Sequence, residues 1–461
     1  MKKEVGMMRR VLSIVVVMMV ASGFATALES VPKTEYRIRR VALAEKMPGG
    51  VAVLFAATEP VLDFMPYRQD EDFYYLTGWN EPGAAMVLIA AAPAEAEAPG
   101  TGMGGHPAQA YREILFLPTR NLRTEKYTGA KMDAATRGVT SATGFDEVLP
   151  MTEMPAVLSK LAVADRARMR NVWVQKDSPQ GRATLGFTAA ALGVAQIDPK
   201  GDVADLTMPL RAVKSPAEID LLKKASNASI AAQRAEMKAV RPGVTERKVA
   251  GVIIETLMEE GAERVSYAPI VGSGANSTTL HYGENSATMK SGDVVVIDAA
   301  GEYSMYASDI TRTLPVDGKF TPRQKEIYDI VLGAQRAAAA AFVAGKSKIN
   351  DPLHKQADSL DQVAFAYINS HGKDIHGQPL GKYMVHGLGH LVGIDVHDPW
   401  DYTKPLDKGM VFTIEPGIYL PEEGIGVRIE DVFYVDADGK LVDLIADLPH
   451  EAADVEAAMR P

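Results

Sequence analysis

Four acidic residues that lie in apolar, strand-like runs constrain this chain more than any other feature. Asp298 ends the apolar run in "VVVIDAA" and Glu415 ends "MVFTIE", while Asp309 and Glu430 follow turns that contain glycine. An acidic side chain in such a run is costly to bury unless it is paired or bound to a cation. Two hairpins would each bring two carboxylates close together, where they repel one another. We therefore predict that the four acids converge on bound cations, although each acid taken singly fits a surface salt bridge.

A histidine cluster supplies a fifth ligand of a different kind. The stretch "MVHGLGHLVGIDVHDPW", residues 384–400, contains three of the nine histidines of the chain. Isolated histidines often settle in satisfied hydrogen-bond sites, so the cluster alone is weak support. Together with the four acids, however, His390 completes a set suited to two divalent cations about 3.5 to 4 Å apart. Carboxylates with one imidazole suit Mn²⁺, while Zn²⁺ and Co²⁺ also fit.

Composition and charge exclude several other classes of protein. The chain has no cysteine, which excludes disulfides, thiolate metal ligands and a cysteine nucleophile. Its formal net charge is −10, so it lacks the basic footprint that nucleic acid requires. We expect no nucleic-acid partner.

The first residues have the layout of a secretory signal peptide. A basic leader precedes an apolar run at 11–20 and the small residues Ala25-Thr26-Ala27. The layout predicts cleavage near Ala27, a secreted or periplasmic location and no membrane contact after cleavage. A retained membrane anchor is the alternative, although the apolar run is short for a bilayer. The basic residues of the leader are Lys2, Lys3, Arg9 and Arg10.

The remainder of the chain divides into two parts. Residues 28–208 alternate helical stretches with short apolar runs at 51–56, 84–90, 113–117 and 172–174, which predicts an α/β domain. The Ala-, Gly- and Pro-rich stretch 91–110, which contains His106, is predicted to be a surface loop. We interpret His106 as a solvated loop histidine.

The second part begins with helix-start signals near residue 215. Ser215 is placed to cap a helix, with Pro216 at its first position and Glu218 returning a hydrogen bond, and Thr321, Pro322 and Gln324 repeat the device. Strand-like runs at 294–299 and 308–314, joined by a turn through Gly301, predict an antiparallel pair. Residues 209–461 therefore indicate an α+β domain with largely antiparallel sheets.

The motifs of the second part also resemble a known family. From about Leu210 onward the sequence is similar to the pita-bread metallopeptidases, and specifically to their Xaa-Pro aminopeptidase and prolidase branch. Upstream, "DEDFYYLTGWNEPGAAMVLI" resembles the amino-terminal domain of that branch. The resemblance implies an α+β, pita-bread catalytic domain behind a smaller α/β, creatinase-like amino-terminal domain. The matching segments are "LRAVKSPAEI", "IVGSGANSTTLHYGEN", "IDAAGEYSMYASDITRTLPVDGKFTPRQKEIYDIVL", "HGLGHLVGIDVHD" and "FTIEPGIYLPEEGIGVRIEDV".

The resemblance implies a role for each predicted ligand. Asp298 would bind one metal only, Asp309 and Glu430 would bridge the two metals, and His390 and Glu415 would bind the other metal. Glu415 would also act with the metals to form a bridging hydroxide that attacks the scissile carbonyl.

The family also places charge-stabilising histidines at the positions of His281 and His397. The alternative is that these two histidines hydrogen-bond metal ligands or pack in the core. We expect His386 to line the pocket for the residue after the scissile bond. Arg428, two residues before Glu430, would point to the same face of a strand and could orient that carboxylate. Asp72 is a candidate for contacts with the substrate's amino end or another subunit, because the family's amino-terminal domain mediates assembly into dimers or tetramers.

The function that follows is removal of an amino-terminal residue from peptides that begin Xaa-Pro. An Xaa-Pro bond has no N–H and a fixed ring, so proteases that bind extended strands handle it poorly. A prolidase acting on Xaa-Pro dipeptides is the alternative within the family. Metal-free, creatinase-like hydrolysis and a non-catalytic interaction module are two further readings, but the chain keeps all five predicted ligands.

Overall fold

The computed structural model describes most of the chain after the predicted leader. The predicted signal peptide, 1–27, lies outside the described residues, as does His106 with most of its predicted loop. Among the described residues, no helix combines the length and apolar character needed to cross a membrane. The described residues are 29–59, 67–92, 111–176, 178–194, 196, 198–351 and 358–460.

A mixed six-stranded sheet forms the core of the amino-terminal part. Its central strands are apolar on both faces because helices cover both: Val51 and Val53 pack in one buried cluster, and Ala52 and Leu54 pack in the other. The four predicted strands are confirmed to within two residues at either end. In the order β4-β3-β2-β1-β5-β6, the strands are β1 (Val51–Phe55), β2 (Ala85–Ala90), β3 (Tyr111–Leu117), β4 (Glu147–Pro150), β5 (Val172–Val174) and β6 (Gly201–Asp202).

Helices flank this sheet and lead to the second part of the chain. The first two contribute buried residues to one face of the sheet, and the helices that follow β4 and β5 contribute to the other. The last helix leads to the short connection 213–215. These helices are α1 (Lys33–Lys46), α2 (Glu71–Thr77), α3 (Glu125–Thr128), α4 (Val139–Thr143), α5 (Met154–Ala164), α6 (Pro179–Leu192) and α7 (Val203–Ala212).

The predicted helix starts of the second part are confirmed. The Ser215 hydroxyl accepts a hydrogen bond from the backbone N–H of Glu218, whose carboxylate accepts one from the backbone N–H of Ser215. Thr321 and Gln324 form the same reciprocal pair. Each capping box satisfies N–H groups that a helix end leaves unpaired. The helices of this part are α8 (Pro216–Ala239), α9 (Glu246–Glu259), α10 (Pro322–Ala341), α11 (Leu360–His371) and α12 (Ala452–Met459).

Small antiparallel sheets make up the rest of the second part, as the α+β prediction requires. The paired strands form the sheets β12-β9-β8, β11-β10-β7, β13-β16-β17 and β14-β15, and every pairing is antiparallel. These strands are β7 (Arg264–Val265), β8 (Ile270–Ser273), β9 (Val294–Asp298), β10 (Gly301–Tyr303), β11 (Tyr306–Ala307), β12 (Thr311–Pro315), β13 (Val411–Ile414), β14 (Gly417–Leu420), β15 (Ile425–Arg428), β16 (Asp431–Val435) and β17 (Leu441–Asp443).

The predicted connection between β9 and β12 is wrong in one respect. The two strands do pair, but Gly301 lies in β10 and not in a single turn, because β10 and β11 form an extra hairpin between them. Its turn residues, Ser304 and Met305, both have positive φ angles of 51° and 73°. Such angles suit a two-residue hairpin turn. Serine and methionine seldom adopt positive φ angles, so the sequence does not indicate this turn.

Candidate metal centre

Four carboxylates and one imidazole meet at a cavity of about 530 Å³. All five predicted ligands line this cavity. Ligand atoms lie within 4.8 Å of one another in three overlapping groups, so Asp309, Glu430 and His390 each belong to two groups. This overlap is what two neighbouring cations with shared ligands require. The groups are Asp298 with Asp309 and Glu430, His390 with Glu415 and Glu430, and Asp309 with His390 and His397.

The ends of two strand pairs deliver the acids. Asp298 is the last residue of β9 and lies opposite Thr311 of β12, two residues after Asp309. Glu415 directly follows β13, and Glu430 directly precedes β16. The two strand pairs meet where the backbone N–H of Glu430 donates to the carbonyl of Thr311 at 3.1 Å. The Thr311 hydroxyl also donates to Glu430 Oε2 at 2.7 Å, which fixes this carboxylate beside the first pair.

His390 reaches the acids from a loop. Its Nε2 lies 3.3 Å from Asp309 Oδ2 and 3.4 Å from Glu415 Oε1. Its Nδ1 is 3.1 Å from the carbonyl of Leu391, so donation there leaves Nε2 facing the carboxylates. The Asn350 side chain holds this loop by hydrogen bonds to the backbone of residues 388 and 389.

Burial and mutual repulsion change the pKa values of the clustered ligands. Burial raises the pKa of Asp298 and of Glu430, and the charge of Asp309 raises both further. Burial also raises the pKa of Glu415 to about 7. Although burial opposes it, hydrogen bonding to Asp309 and the charge of Glu415 raise the pKa of His390 to about 9. The metal-free cluster therefore holds protons where divalent cations would fit, and its donor set matches such cations.

Because the metal-free cluster binds protons, we expect Mn²⁺ affinity and the stability of the metal-free protein to change in opposite directions as pH rises. Between the usual glutamate pKa of 4.5 and the raised value of about 7, the native cluster binds more protons than the unfolded chain. The free energy of unfolding of the metal-free protein should therefore fall as pH rises through this window. Mn²⁺ affinity should rise over the same window, because binding must displace the protons.

Urea unfolding and Mn²⁺ titration at about pH 5, 6, 7 and 8 measure both quantities. Metal-free stability that climbs over this range, or affinity that stays flat, would contradict the expectation.

Arg428 lines the cavity, but its predicted contact with Glu430 is wrong. Its Nη2 donates to Asp298 Oδ2 at 2.6 Å, and its Nε donates to the Thr311 hydroxyl at 3.0 Å. Its hydrogen-bond connection to Glu430 therefore runs through the Thr311 hydroxyl. The predicted common face is confirmed, because Arg428 and Glu430 both line the cavity, although β15 ends at Arg428 and β16 begins at Asp431.

Three further histidines line the cavity, as predicted: His281, His386 and His397. The His397 ring lies 4.1 Å from the His390 ring, measured between centroids. His386 Nε2 is 2.8 Å from the hydroxyl of Tyr419, which accepts a hydrogen bond from Arg428 at 2.9 Å. Burial and the nearby Arg428 charge lower the pKa of His386 to about 4, so this ring is neutral at physiological pH.

The structure does not bring Asp72 to this cavity. Its carboxylate is buried and accepts hydrogen bonds from Arg211 Nη1 at 2.9 Å and from the Thr207 hydroxyl at 2.6 Å. Arg211 also binds Asp398, which directly follows His397 and pairs with Lys214 at 2.9 Å. Asp72 thus belongs to a buried ion network that joins α2 to the loop of His397, which corrects its interpretation as a substrate contact.

Sequence reasoning missed several residues around the predicted ligands. The Tyr267 hydroxyl hydrogen-bonds to both Asp298 and Asp309, and Tyr419 connects Arg428 to His386. No spacing pattern singles out either tyrosine, because each meets its partners only in the folded chain. Tyr419 lies in the family-like segment that begins at Phe412, so its position four residues after Glu415 is the one signal that could have singled it out.

Comparison with known proteins is consistent with this geometry. A model described as metallopeptidase family M24 matches residues 220–437, and one described as aminopeptidase P, N-terminal domain, matches residues 36–170. The curated Xaa-Pro aminopeptidase of Escherichia coli (strain K12) is 34% identical over 464 residues, which cover 94% of this chain and 99% of that relative.

Solved structures show the same similarity along the whole chain. Proline aminopeptidase P II from Yersinia pestis superposes with a TM-score of 0.78 at 31% identity and covers 93% of this chain and 99% of its own. Zn-substituted aminopeptidase P from Escherichia coli, solved in complex with product, also gives a TM-score of 0.78, at 30% identity, covering 94% and 99%.

Proposed function

The chain belongs to the aminopeptidase P branch of metallopeptidase family M24, and on this premise we propose that its cavity removes the amino-terminal residue from Xaa-Pro peptides with two divalent cations. It is a metal-dependent aminopeptidase. The predicted fold, a pita-bread domain with a smaller amino-terminal α/β domain, is confirmed by the family models and the structural similarity.

One observation carries the proposal. Four carboxylates and His390, from segments up to 132 positions apart between Asp298 and Glu430, face one cavity in three overlapping ligand groups. Mutually repelling acids at this density are costly without cations. Neither a non-catalytic module nor a metal-free reaction requires such a cluster of acids.

The side chains around the cluster fit peptide hydrolysis. When bound, two divalent cations supply the Lewis acidity that activates a water and polarises the scissile carbonyl. Glu415 accepts the proton that leaves the attacking water and passes it to the departing proline nitrogen. His281 and His397 donate hydrogen bonds to the carbonyl oxygen as negative charge develops on it.

The wall of the cavity fits a proline ring after the scissile bond. His386 is neutral and buried in part against Tyr419, and the lining adds the apolar side chains of Ile270 and Leu280. A ring without an N–H needs such a surface and no hydrogen-bond acceptor. This arrangement supports recognition of proline at that position.

A side-by-side peptide assay tests the proposal. The metal-loaded protein is expected to cleave an Xaa-Pro-Yaa tripeptide and to release the first residue, and a chelator should remove this activity. An Xaa-Ala-Yaa tripeptide of the same length is the control for proline recognition. Faster cleavage of an Xaa-Pro dipeptide than of the tripeptide would identify a prolidase, and cleavage that survives chelation would contradict the metal requirement.

We propose Mn²⁺ as the metal, because oxygen ligands with a single imidazole suit it well. Zn²⁺ and Co²⁺ fit the same donor set, and a zinc form of a relative has been solved. Turnover after reconstitution with each metal separately decides between them, and higher turnover with Zn²⁺ would overturn the assignment.

We also propose that the mature protein is secreted or periplasmic and forms a dimer or tetramer. The leader-like residues 1–27 support the location, and the family resemblance supports the assembly. Amino-terminal sequencing of the exported protein and its molar mass by light scattering test the two statements. An uncleaved leader or a monomeric mass would contradict them.

A further inference from the structure

A buried glutamine on α8 cross-links the main chain beside two of the predicted ligands. Gln233 Nε2 donates to the carbonyl of Ala299 at 3.1 Å and to the carbonyl of Ile310 at 3.2 Å. Ala299 directly follows Asp298, and Ile310 directly follows Asp309. A single amide therefore connects the two chain segments that carry these acids.

A second glutamine, on α10, does the same for the other two acids. Gln335 Nε2 donates to the carbonyl of Ile414 at 3.1 Å and lies 3.4 Å from the carbonyl of Ile429. Ile414 directly precedes Glu415, and Ile429 directly precedes Glu430. All four predicted carboxylate ligands are thus one residue away from a carbonyl that a glutamine holds.

The hydrogen bonds that the two glutamine side chains donate explain why glutamine occupies these positions. A primary amide has two N–H donors, which is the number needed to hold two carbonyls. The side-chain oxygen of Gln233 is buried and has no hydrogen-bond partner in the described part of the chain. Because an unpaired buried oxygen is unfavourable, the two donated bonds are what favours glutamine there. Gln335 also donates to the Asp431 carboxylate at 2.7 Å, so its two N–H groups serve three acceptors and the longest contact, to the carbonyl of Ile429, shares a hydrogen with another.

We propose that Gln233 and Gln335 are positioning residues that hold the two pairs of acids at the spacing a dinuclear metal site requires. The inference rests on the proposed function. Repulsion between the acids would separate the two strands of each pair when no cation is bound. An amide that is hydrogen-bonded to both strands opposes this separation. Neither glutamine lines the cavity, so each acts through the backbone beside the ligands.

General packing is the competing explanation, and the chain contains a matched control for it. Gln69 in the amino-terminal part is also buried, and its Nε2 donates to the carbonyls of Trp79 at 2.9 Å and Glu81 at 3.2 Å. It makes the same kind of cross-link without touching the metal cluster. Loss of a buried amide can therefore be separated from loss of ligand spacing.

The experiment compares Gln233→Met, Gln335→Met and Gln69→Met with the wild-type full chain. Methionine has a similar volume and no donor. Free Mn²⁺ is measured by electron paramagnetic resonance during titration of each metal-free protein, and each metal-free melting temperature is recorded. We expect Gln233→Met and Gln335→Met to bind Mn²⁺ about tenfold more weakly, as for groups that orient metal ligands. Gln69→Met should melt earlier but bind Mn²⁺ like the wild type.

Wild-type Mn²⁺ affinity in Gln233→Met and Gln335→Met would overturn this inference alone, whereas failure of the wild type to bind Mn²⁺ would overturn the proposed function as well. If a methionine variant does not fold, Gln233→Asn and Gln335→Asn replace it. Asparagine keeps the amide but is one methylene shorter, so it cannot reach both carbonyls. Weaker binding in these variants supports the inference, and unchanged binding contradicts it.

Discussion

Replacing Asp309 by alanine is expected to abolish hydrolysis of an Xaa-Pro-Yaa peptide. Asp309 belongs to two of the three ligand groups and lies 3.3 Å from His390 Nε2. Its loss removes an oxygen that both cations would share. The fall in kcat should exceed about 100-fold, the upper range for groups that only orient ligands. Steady-state kinetics with excess Mn²⁺ and the metal content of the purified variant measure the effect.

A buried carboxylate far from the cavity provides the control. Glu113 pairs with Arg40 at 2.6 Å in the amino-terminal part, where both side chains are fully buried. Glu113→Gln should lose stability but keep two metals per chain and near-normal turnover. Normal turnover in Asp309→Ala would rule out the proposed site.

Replacing His397 by alanine is expected to lower kcat by about 100- to 1,000-fold, the range for removing one donor to a developing oxyanion. His397 lines the cavity and is close to His390, yet one ligand group also includes it. The metal content of the variant separates the two roles. If His397 stabilises charge, the alanine variant keeps both metals. If His397 is a ligand, the variant loses one metal.

His376→Ala is the matched histidine control, because this exposed residue pairs with Glu422 outside the cavity. It should change neither turnover nor metal content. An unchanged kcat in His397→Ala, or a kcat loss explained fully by a missing metal, would contradict the assignment of His397 as a charge stabiliser.

Local features of the fold could be predicted from the sequence because short-range physics sets them. Ser215 and Glu218 form their capping box within four residues, so no distant contact is needed. The short apolar runs of the amino-terminal part indicated strands of an α/β domain, and the structure confirms these strands. The acids in apolar runs indicated convergence, since burial of an isolated carboxylate is so costly.

The spacing of residues along the sequence could not predict which side chains of the site bind each other. Strand alternation correctly placed Arg428 and Glu430 at the same cavity, but the carboxylate that Arg428 binds is that of Asp298. Asp72 was a candidate for contact with the substrate's amino end or with another subunit, but Arg211 and Thr207 hydrogen-bond to it in a buried network. In both cases the deciding partner comes from a segment more than 100 positions away.

By itself, the sequence determined the composition of the site: acids in apolar runs, one imidazole beside them, and no sulfur. Only the tertiary structure decided which side chains of the site contact each other. It also decided the hairpin at Ser304 and Met305 and the hydrogen bonds from Gln233 and Gln335 to the strands that carry the ligands. The physical reason is that burial cost is a property of a residue in its own run, whereas a hydrogen bond depends on two segments that only folding brings within 3 Å or so.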